Sequence, residues 1–355
     1  MADKRVILVT GVASYWGSRL AARLVSDQEY HVMGLDAEAP PSTIKGLDFI
    51  QADVRNPLLP DLLGAEGIET VCHLAFVDTL RPSETAFDLN VMGTTKLLGA
   101  CAQAGVRRVV LRSSTAVYGA HPSNPAFLTE EHSLRGSKRC GTIRDLLEIE
   151  TFCRGFRHRV PNLALTILRF ASIVGPTADT PLIRFLKEPA APSLLGFDPM
   201  MQVLHEDDAV EALRHAALHE APGVFNIAAE EPLPLSRIRG LAGKTYLSVF
   251  HPFAYWGRSL FGGRAPQLDR YVPIEPDYLR YPWVADLARM REVLGFAPQY
   301  TAAETVSEFA ERCRGSRHHL GPVAMARDEE RLRRVIEQRR QAQAASVAEW
   351  GGEDD

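Results

Sequence analysis

Apolar residues in this chain gather in short runs separated by amphipathic stretches. Val6 to Val9, His31 to Leu35, Asp48 to Ile50, Thr70 to Leu74, Arg108 to Leu111 and Leu165 to Phe170 read as strands, with the near-continuous apolar character of strands covered on both faces. Helical patterns alternate with them. Leu20, Leu24 and Val25 mark one apolar stripe after the first run, and Glu84 to Ala104 reads as a long helix with Phe87, Val91, Leu97 and Leu98 on its apolar positions. Gly105 follows at a place where a left-handed residue ends helices. The alternation predicts βαβ units, hence an α/β fold with a doubly wound parallel sheet.

Past Gly175-Pro176 the pattern weakens, and prolines and aromatics become frequent. This predicts a smaller C-terminal substrate subdomain over the C-terminal edge of the sheet, where ligands bind in open α/β folds. The expected division is 1–175 and 202–222 for the sheet domain, 176–201 and 223–315 for the substrate subdomain, and 316–355 for a charged C-terminal helix or tail. The last rests on Ala324 to Glu349, rich in Ala, Arg and Glu and free of Gly and Pro.

The first strand–helix unit carries the strongest chemical signal. Thr10-Gly11-Val12-Ala13-Ser14-Tyr15-Trp16-Gly17 links them. Gly11 permits a tight turn and Gly17 close packing, and the first N–H groups of the helix, around Ser14, Tyr15 and Trp16, suit a pyrophosphate. Asp36 closes the second strand about twenty residues on, placed to accept from both ribose hydroxyls and to repel a 2′-phosphate. A Rossmann-type NAD site is expected, in preference to NADP. Ser14 replaces the middle glycine of the usual loop and puts a Cβ where backbone normally meets the phosphates.

Composition narrows the picture further. The 355 residues carry a formal net charge of −4, with no basic footprint for nucleic acid. The sequence shows no signal peptide and no apolar run of membrane-spanning length, so a cytoplasmic location is expected. The five cysteines (Cys72, Cys101, Cys140, Cys153 and Cys313) are scattered without zinc spacing and read as reduced thiols. No metal site is expected; His318-His319 and Glu206-Asp207-Asp208 are the nearest groupings and read as solvated.

Motifs along the chain resemble the extended short-chain dehydrogenase/reductase family, in its NAD-dependent epimerase/dehydratase branch. Thr10 to Gly17 is similar to the T-G-x-x-G-x-x-G loop, and Asp53-Val54 to the pair that contacts adenine. His73-Leu74-Ala75, followed by Phe76, resembles the H-L-A turn beside the cofactor, and Asn90 to Thr94 the N-V-x-G-T helix segment. Ser113 to Gly119 resembles S-S-x-x-V-Y-G, and Leu168 to Pro176, which includes Phe170 and Ile173, the loop beside the nicotinamide. Leu204 to Asp208 and Phe225 to Ala228 resemble V-H-x-x-D and Y-N-I-G. The resemblance implies NAD contacts at Gly11, Ser14, Tyr15, Trp16, Gly17, Asp36, Asp53, Val54, Leu74, Ala75, Phe76, Asn90, Ser113, Phe170 and Ile173. It implies a catalytic hydroxyl at Ser114.

The family's proton shuttle is a Tyr with a Lys four residues on. A free phenol titrates at about 10, so it works at neutral pH only when a nearby ammonium stabilises the phenolate. No tyrosine occurs in LRGSKRCGTIRDLLEIETF, the segment where this pair belongs. One register puts Thr142 at the Tyr position and Leu146 at the Lys position, keeping Asp145, Glu148 and Glu150 matched, and is preferred; the other puts Cys140 and Arg144 there. Threonine is too weak an acid, and leucine has no charge. Losing a general acid or base costs a factor of about 10² to 10⁴. Lys138, His132, His121, Cys140 and Tyr118 are the replacements at hand, each with a plainer structural reading.

On the substrate side, Pro199 to Val203 lacks the Arg that grips a nucleotide-sugar diphosphate in relatives, leaving Arg184, Arg258 and Arg264 as substitutes. Tyr246 to Phe261 is apolar and aromatic, which favours an apolar small-molecule substrate over a charged one. Relatives dimerise through helices matching Glu84 to Ala104 and Thr142 to Gly155, so a homodimer is open. The expectation is an NAD-binding, epimerase/dehydratase-like oxidoreductase with a nonstandard active site. The alternative is a cofactor-binding scaffold or sensor acting through a partner. Turnover itself is left open.

Overall fold

The computed structural model describes residues 5–188, 192–244, 247–249 and 276–315, with Glu329 and Arg333. All six apolar runs form parallel strands: β1 (Arg5–Thr10), β2 (Tyr30–Asp36), β3 (Asp48–Gln51), β4 (Ile68–His73), β5 (Arg108–Ser114) and β6 (Ala164–Phe170). They join β11 (Gly223–Ile227) in a seven-stranded sheet of order β3-β2-β1-β4-β5-β6-β11. The chain leaves β1 in one direction toward β3 and returns on the other side through β4. The crevice between β1 and β4 is therefore the switch point where such sheets bind ligands.

Helices cover both faces. α1 (Tyr15–Val25) and α7 (Glu206–Leu218) pack on one, with Leu20, Leu24, Ala212 and Leu213 against Val9, Val110 and Phe225. α2 (Leu59–Ala65), the helix of residues 84–104 and α5 (Gly141–Arg159) cover the other. The 84–104 helix is three pieces in series: α3 (Glu84–Phe87), a π turn (Asp88–Met92) and α4 (Gly93–Ala104). Gly105 ends it in the left-handed conformation, at φ 74°.

Beyond the sheet, β7 (Ser172–Val174) pairs with β10 (Val203–His205), β8 (Pro192–Leu194) with β13 (Leu247–Val249), and β9 (Met200–Met201) antiparallel with β12 (Leu233–Pro234). With α6 (Pro181–Lys187), α8 (Leu235–Leu241) and the helix Ala302–Gly315 they build a third apolar cluster around Phe185, Tyr278 and Phe309. Residues 202–222 supply β10 and α7, and the strand that follows, Gly223–Ile227, continues the large sheet. Most of Tyr246 to Phe261, together with Arg258, Arg264, His318-His319 and nearly all of 316–355, lies outside the described residues. Among the described residues no helix is long and apolar enough to cross a membrane.

Candidate cofactor and active site

The β1–α1 turn is shaped by glycines that admit other backbone. Gly11 lies at φ 79°, and a Cβ on it would stand 2.5 Å from the Leu74 carbonyl and the Ala75 nitrogen. A Cβ on Gly17 would stand 2.0 Å from the Gly11 oxygen. The turn is thus pressed against the end of β4 on one side and its own helix on the other. Ser14, at the place of the missing glycine, caps α1: its hydroxyl accepts from the Gly17 N–H at 3.1 Å, and its carbonyl from Ser18 at 3.0 Å. The N–H groups of Tyr15 and Trp16, the first of α1, have no helical acceptor ahead of them. Asp36 closes the pocket wall, with one carboxylate oxygen accepting from Ala13 N–H at 2.9 Å and the other from Glu38 N–H at 3.3 Å. This cradle fits a dinucleotide: close backbone, unpaired helix N–H groups, and a carboxylate at the end of β2.

The remaining expected contacts divide into two sets. Asp53 is bonded to Arg55 through the backbone N–H at 2.8 Å and the side chain at 2.6 and 2.9 Å, which holds its carboxyl below the usual range. Val54 is buried beside Gly93, where a Cβ would come within 3.2 Å of it. Leu74 donates its N–H to Thr10, Phe76 donates to Leu74, and Phe170 and Ile173 are buried, at the end of β6 and the middle of β7. Asn90 and Ser113 face inward. Asn90, inside the π turn, accepts from Val77 N–H at 2.9 Å, donates to Val77 O at 3.0 Å and donates to Asp145 at 2.9 Å. Its amide clamps the loop after β4.

Ser113 belongs to a buried polar chain. Its hydroxyl donates to Glu150 at 2.6 Å; Glu150 pairs with Arg169 at 2.5 Å; Arg169 donates to the Tyr118 hydroxyl at 2.7 Å; Tyr118 donates to Asn226 at 2.7 Å. Burial alone would lower the pKa of Arg169, but the Glu150 carboxylate raises it. Tyr118 is fully buried and its phenol is pushed up to about 12, chiefly by burial. That shift opposes proton shuttling at neutral pH, so Tyr118 is a structural residue here. Tyr15, at the cofactor turn, is likewise pushed up to about 12 by burial.

Ser114 ends β5 and is half-buried, its oxygen accepting from Ala116 N–H at 3.2 Å. A hydroxyl that accepts one bond keeps its proton to donate. Thr142 is engaged elsewhere: its hydroxyl accepts from Thr79 N–H at 2.8 Å and donates to Thr79 O at 3.2 Å. A Cβ on neighbouring Gly141 would lie 2.1 Å from Thr79 Oγ1 and 2.5 Å from Arg81 O. The loop of residues 76–83 therefore rests on the start of α5, and among the described residues no hydrogen bond links Thr142 with Ser114. Leu146 is buried in an apolar cluster with Ile143 and Leu147.

The other register and the replacement candidates are equally committed. Cys140 is buried with Sγ 3.8 Å from Thr79 O, and Arg144 bonds Asp145 at 2.7 Å and Ser83 O at 3.0 Å. Lys138 is exposed and pairs with Glu148 at 3.5 Å. His121 lies 3.0 Å from Arg135 O, and His132 lies 3.3 Å from Arg135.

One reading is corrected outright. Glu206 and Asp208, expected in solvent, are both 2% exposed. Glu206 accepts from Thr177 N–H and Oγ1 and from Ala178 N–H at 2.6 to 3.1 Å, and pairs with Arg19 at 3.3 Å. Arg19 also donates to the Tyr15 hydroxyl at 2.5 Å, and Tyr15 meets Thr177 at 2.7 Å. This knot ties the start of α1 to the loop after Gly175-Pro176. Its only sequence signal is the one-turn spacing of Tyr15 and Arg19. Asp208 accepts from Gln299 and Tyr300 N–H at 2.9 and 3.0 Å, and burial raises its pKa.

A parallel sheet with a glycine turn, a strand-end carboxylate and a serine at the end of β5 defines a dinucleotide-binding protein of the extended short-chain dehydrogenase/reductase type. The chain belongs to the NAD dependent epimerase/dehydratase family, whose model matches residues 7–228. An uncharacterised protein of Mycobacterium tuberculosis is 36% identical over 317 residues, covering 86% of this chain and 83% of the relative. Among solved structures, MoeE5 in complex with UDP-glucuronic acid and NAD is 26% identical, with a TM-score of 0.66, covering 87% of this chain and 99% of that one. The UDP-glucose 4-epimerase of Thermotoga maritima, at 19% identity and a TM-score of 0.67, shares the fold over 88% of this chain and all of its own. The last of these is an enzyme by description, and none of the three lends support to a scaffold or sensor.

Proposed function

We propose that this chain binds NAD across the β1–α1 turn and the ends of β2 and β4, and acts as an oxidoreductase on a small-molecule substrate. The observation that carries the reading is the cradle in which Gly11 and Gly17 leave no room for side chains while Asp36 is bonded to Ala13 at 2.9 Å. The bound cofactor supplies a hydride acceptor or donor at its nicotinamide. The chain's own part is to hold the pyrophosphate with the Tyr15 and Trp16 N–H groups, to accept from the adenosine ribose with Asp36, and to orient a substrate oxygen with the Ser114 hydroxyl. Thr142 clamps a loop and moves no proton.

The substrate is an apolar small molecule rather than a nucleotide sugar. Two observations support this: Met201 is buried, and Gln202 is spent on the Ala285 backbone at 2.8 and 3.0 Å, so that stretch offers no diphosphate clamp. Arg184 pairs with Asp179 at 2.9 Å on the surface. The protein acts in the cytoplasm, a reading supported by its five cysteine thiols, four of which are buried. Pairing of two copies through the helices of residues 84–104 and 142–155 belongs to the same reading; Met92, 41% exposed on the first, supports it.

Titration with NAD, NADH and NADP tests the cofactor. NAD and NADH should bind, NADP at least about tenfold more weakly because Asp36 repels its 2′-phosphate, and Asp36→Ala should narrow that gap. Failure of the wild type to bind any dinucleotide would overturn the reading. Cofactor reduction with a panel of apolar alcohols then tests turnover; activity confined to nucleotide sugars would overturn the substrate class.

A further inference from the structure

Leu146 leaves the site without the cation that relatives place four residues after their tyrosine, and a different arginine stands near the end of β5, over the loop that follows β4. Arg112 lies two residues before Ser114 on β5, so strand alternation puts both on one face. Their register partners on β6, Leu168 and Phe170, belong to the same apolar cluster. The Arg112 guanidinium is carried over the loop that follows β4, 5.7 Å above the Phe76 ring. Phe76 is bonded to Leu74, whose carbonyl borders Gly11 of the cofactor turn.

We propose that Arg112 binds the anionic diphosphate-ribose portion of the cofactor, and that Asp78 holds its place when no cofactor is bound. The inference rests on the NAD reading given above. The Arg112 side chain is 15% exposed and its partner Asp78 59%, so the cation is the sheltered member and the carboxylate sits at the rim. Asp78 engages one nitrogen only, Nη2, which donates to both carboxylate oxygens at 3.0 and 3.3 Å. A guanidinium fork bonds carboxylates and phosphates with two nitrogens side by side. Among the described residues Nε and Nη1 bond no acceptor, which leaves them to a second one. A pair whose carboxylate stands in water and engages a single nitrogen is worth little, so a diphosphate can displace it.

Two other arginines of the site are held in place by several partners each. Arg144 is held by Asp145 and Ser83, and Arg19 by Tyr15, Glu206 and Asp207. Arg112 is an electrostatic binding residue, since a guanidinium does not give up its proton at working pH.

The test is NAD and ADP-ribose titration of the full chain as wild type, Arg112→Gln and Asp78→Asn, with thermal unfolding of each free protein as the folding control. Arg112→Gln should weaken both ligands about 10-fold or more, the size of one lost charge-assisted hydrogen bond. Asp78→Asn should tighten both, because a competing negative charge is removed. Unchanged NAD affinity in Arg112→Gln would overturn the inference and leave the cofactor reading standing. Weakening by Asp78→Asn as well would overturn it too, showing the pair to be structural. Absence of NAD binding in the wild type would overturn the cofactor reading, and this inference with it.

Discussion

At the scale of single residues, the chain separates groups that touch a ligand from groups that hold the wall. His73 is of the second kind. It is fully buried, its ring nitrogens 2.7 Å from Thr10 Oγ1 and 3.0 Å from Thr94 Oγ1, and burial pushes its pKa down to about 3. The folded protein therefore keeps it neutral, while the unfolded chain takes up a proton at about 6.5. Its contribution to stability is complete above pH 6.5 and is lost as pH falls from there toward 3, by up to about 1.4 kcal/mol per pH unit. Urea unfolding between pH 7 and 5 should show this slope in the wild type and a shallower one in His73→Asn. The absence of the Tyr and Lys was legible in the sequence, because it is a matter of residue types at a spacing. What Thr142 does instead was not, because its partner Thr79 lies 63 residues away and the bond is to backbone.

At the scale of elements, strands were the most readable. Buried parallel strands must be apolar nearly throughout, and each of the six runs marks one. The long helix was also legible, down to the Gly105 cap, but its π turn was not: apolar spacing reports a face, not the extra residue that swings Asn90 onto Val77. Ser14 shows the reverse. Read as a departure from a glycine pattern, it is a sound N-cap for α1. Ser14→Ala should destabilise the fold by about 1 kcal/mol and Ser14→Gly by only a few tenths, a ranking that urea midpoints will check.

Across the whole molecule, the chain Ser113–Glu150–Arg169–Tyr118–Asn226 joins β5, α5, β6 and β11. Removing the Glu150 carboxylate would leave Arg169, 2% exposed, as an uncompensated buried charge. Glu150→Ala should cost about 3–5 kcal/mol, read as a large loss in unfolding midpoint. The motifs flanking this chain were visible in sequence; their connection was not, since it crosses 108 residues between Tyr118 and Asn226. The loop of residues 76–83 limits what position 142 can hold. Its Thr79 backbone fills the space in front of residue 142, and the lack of a side chain at Gly141 admits it. A tyrosine placed at 142 meets an occupied seat, so Thr142→Tyr with Leu146→Lys should lower stability without raising turnover. A larger side chain there requires the loop to move first. Main chain from 63 residues away thus seals position 142, and new chemistry can be installed there only together with a re-routed loop.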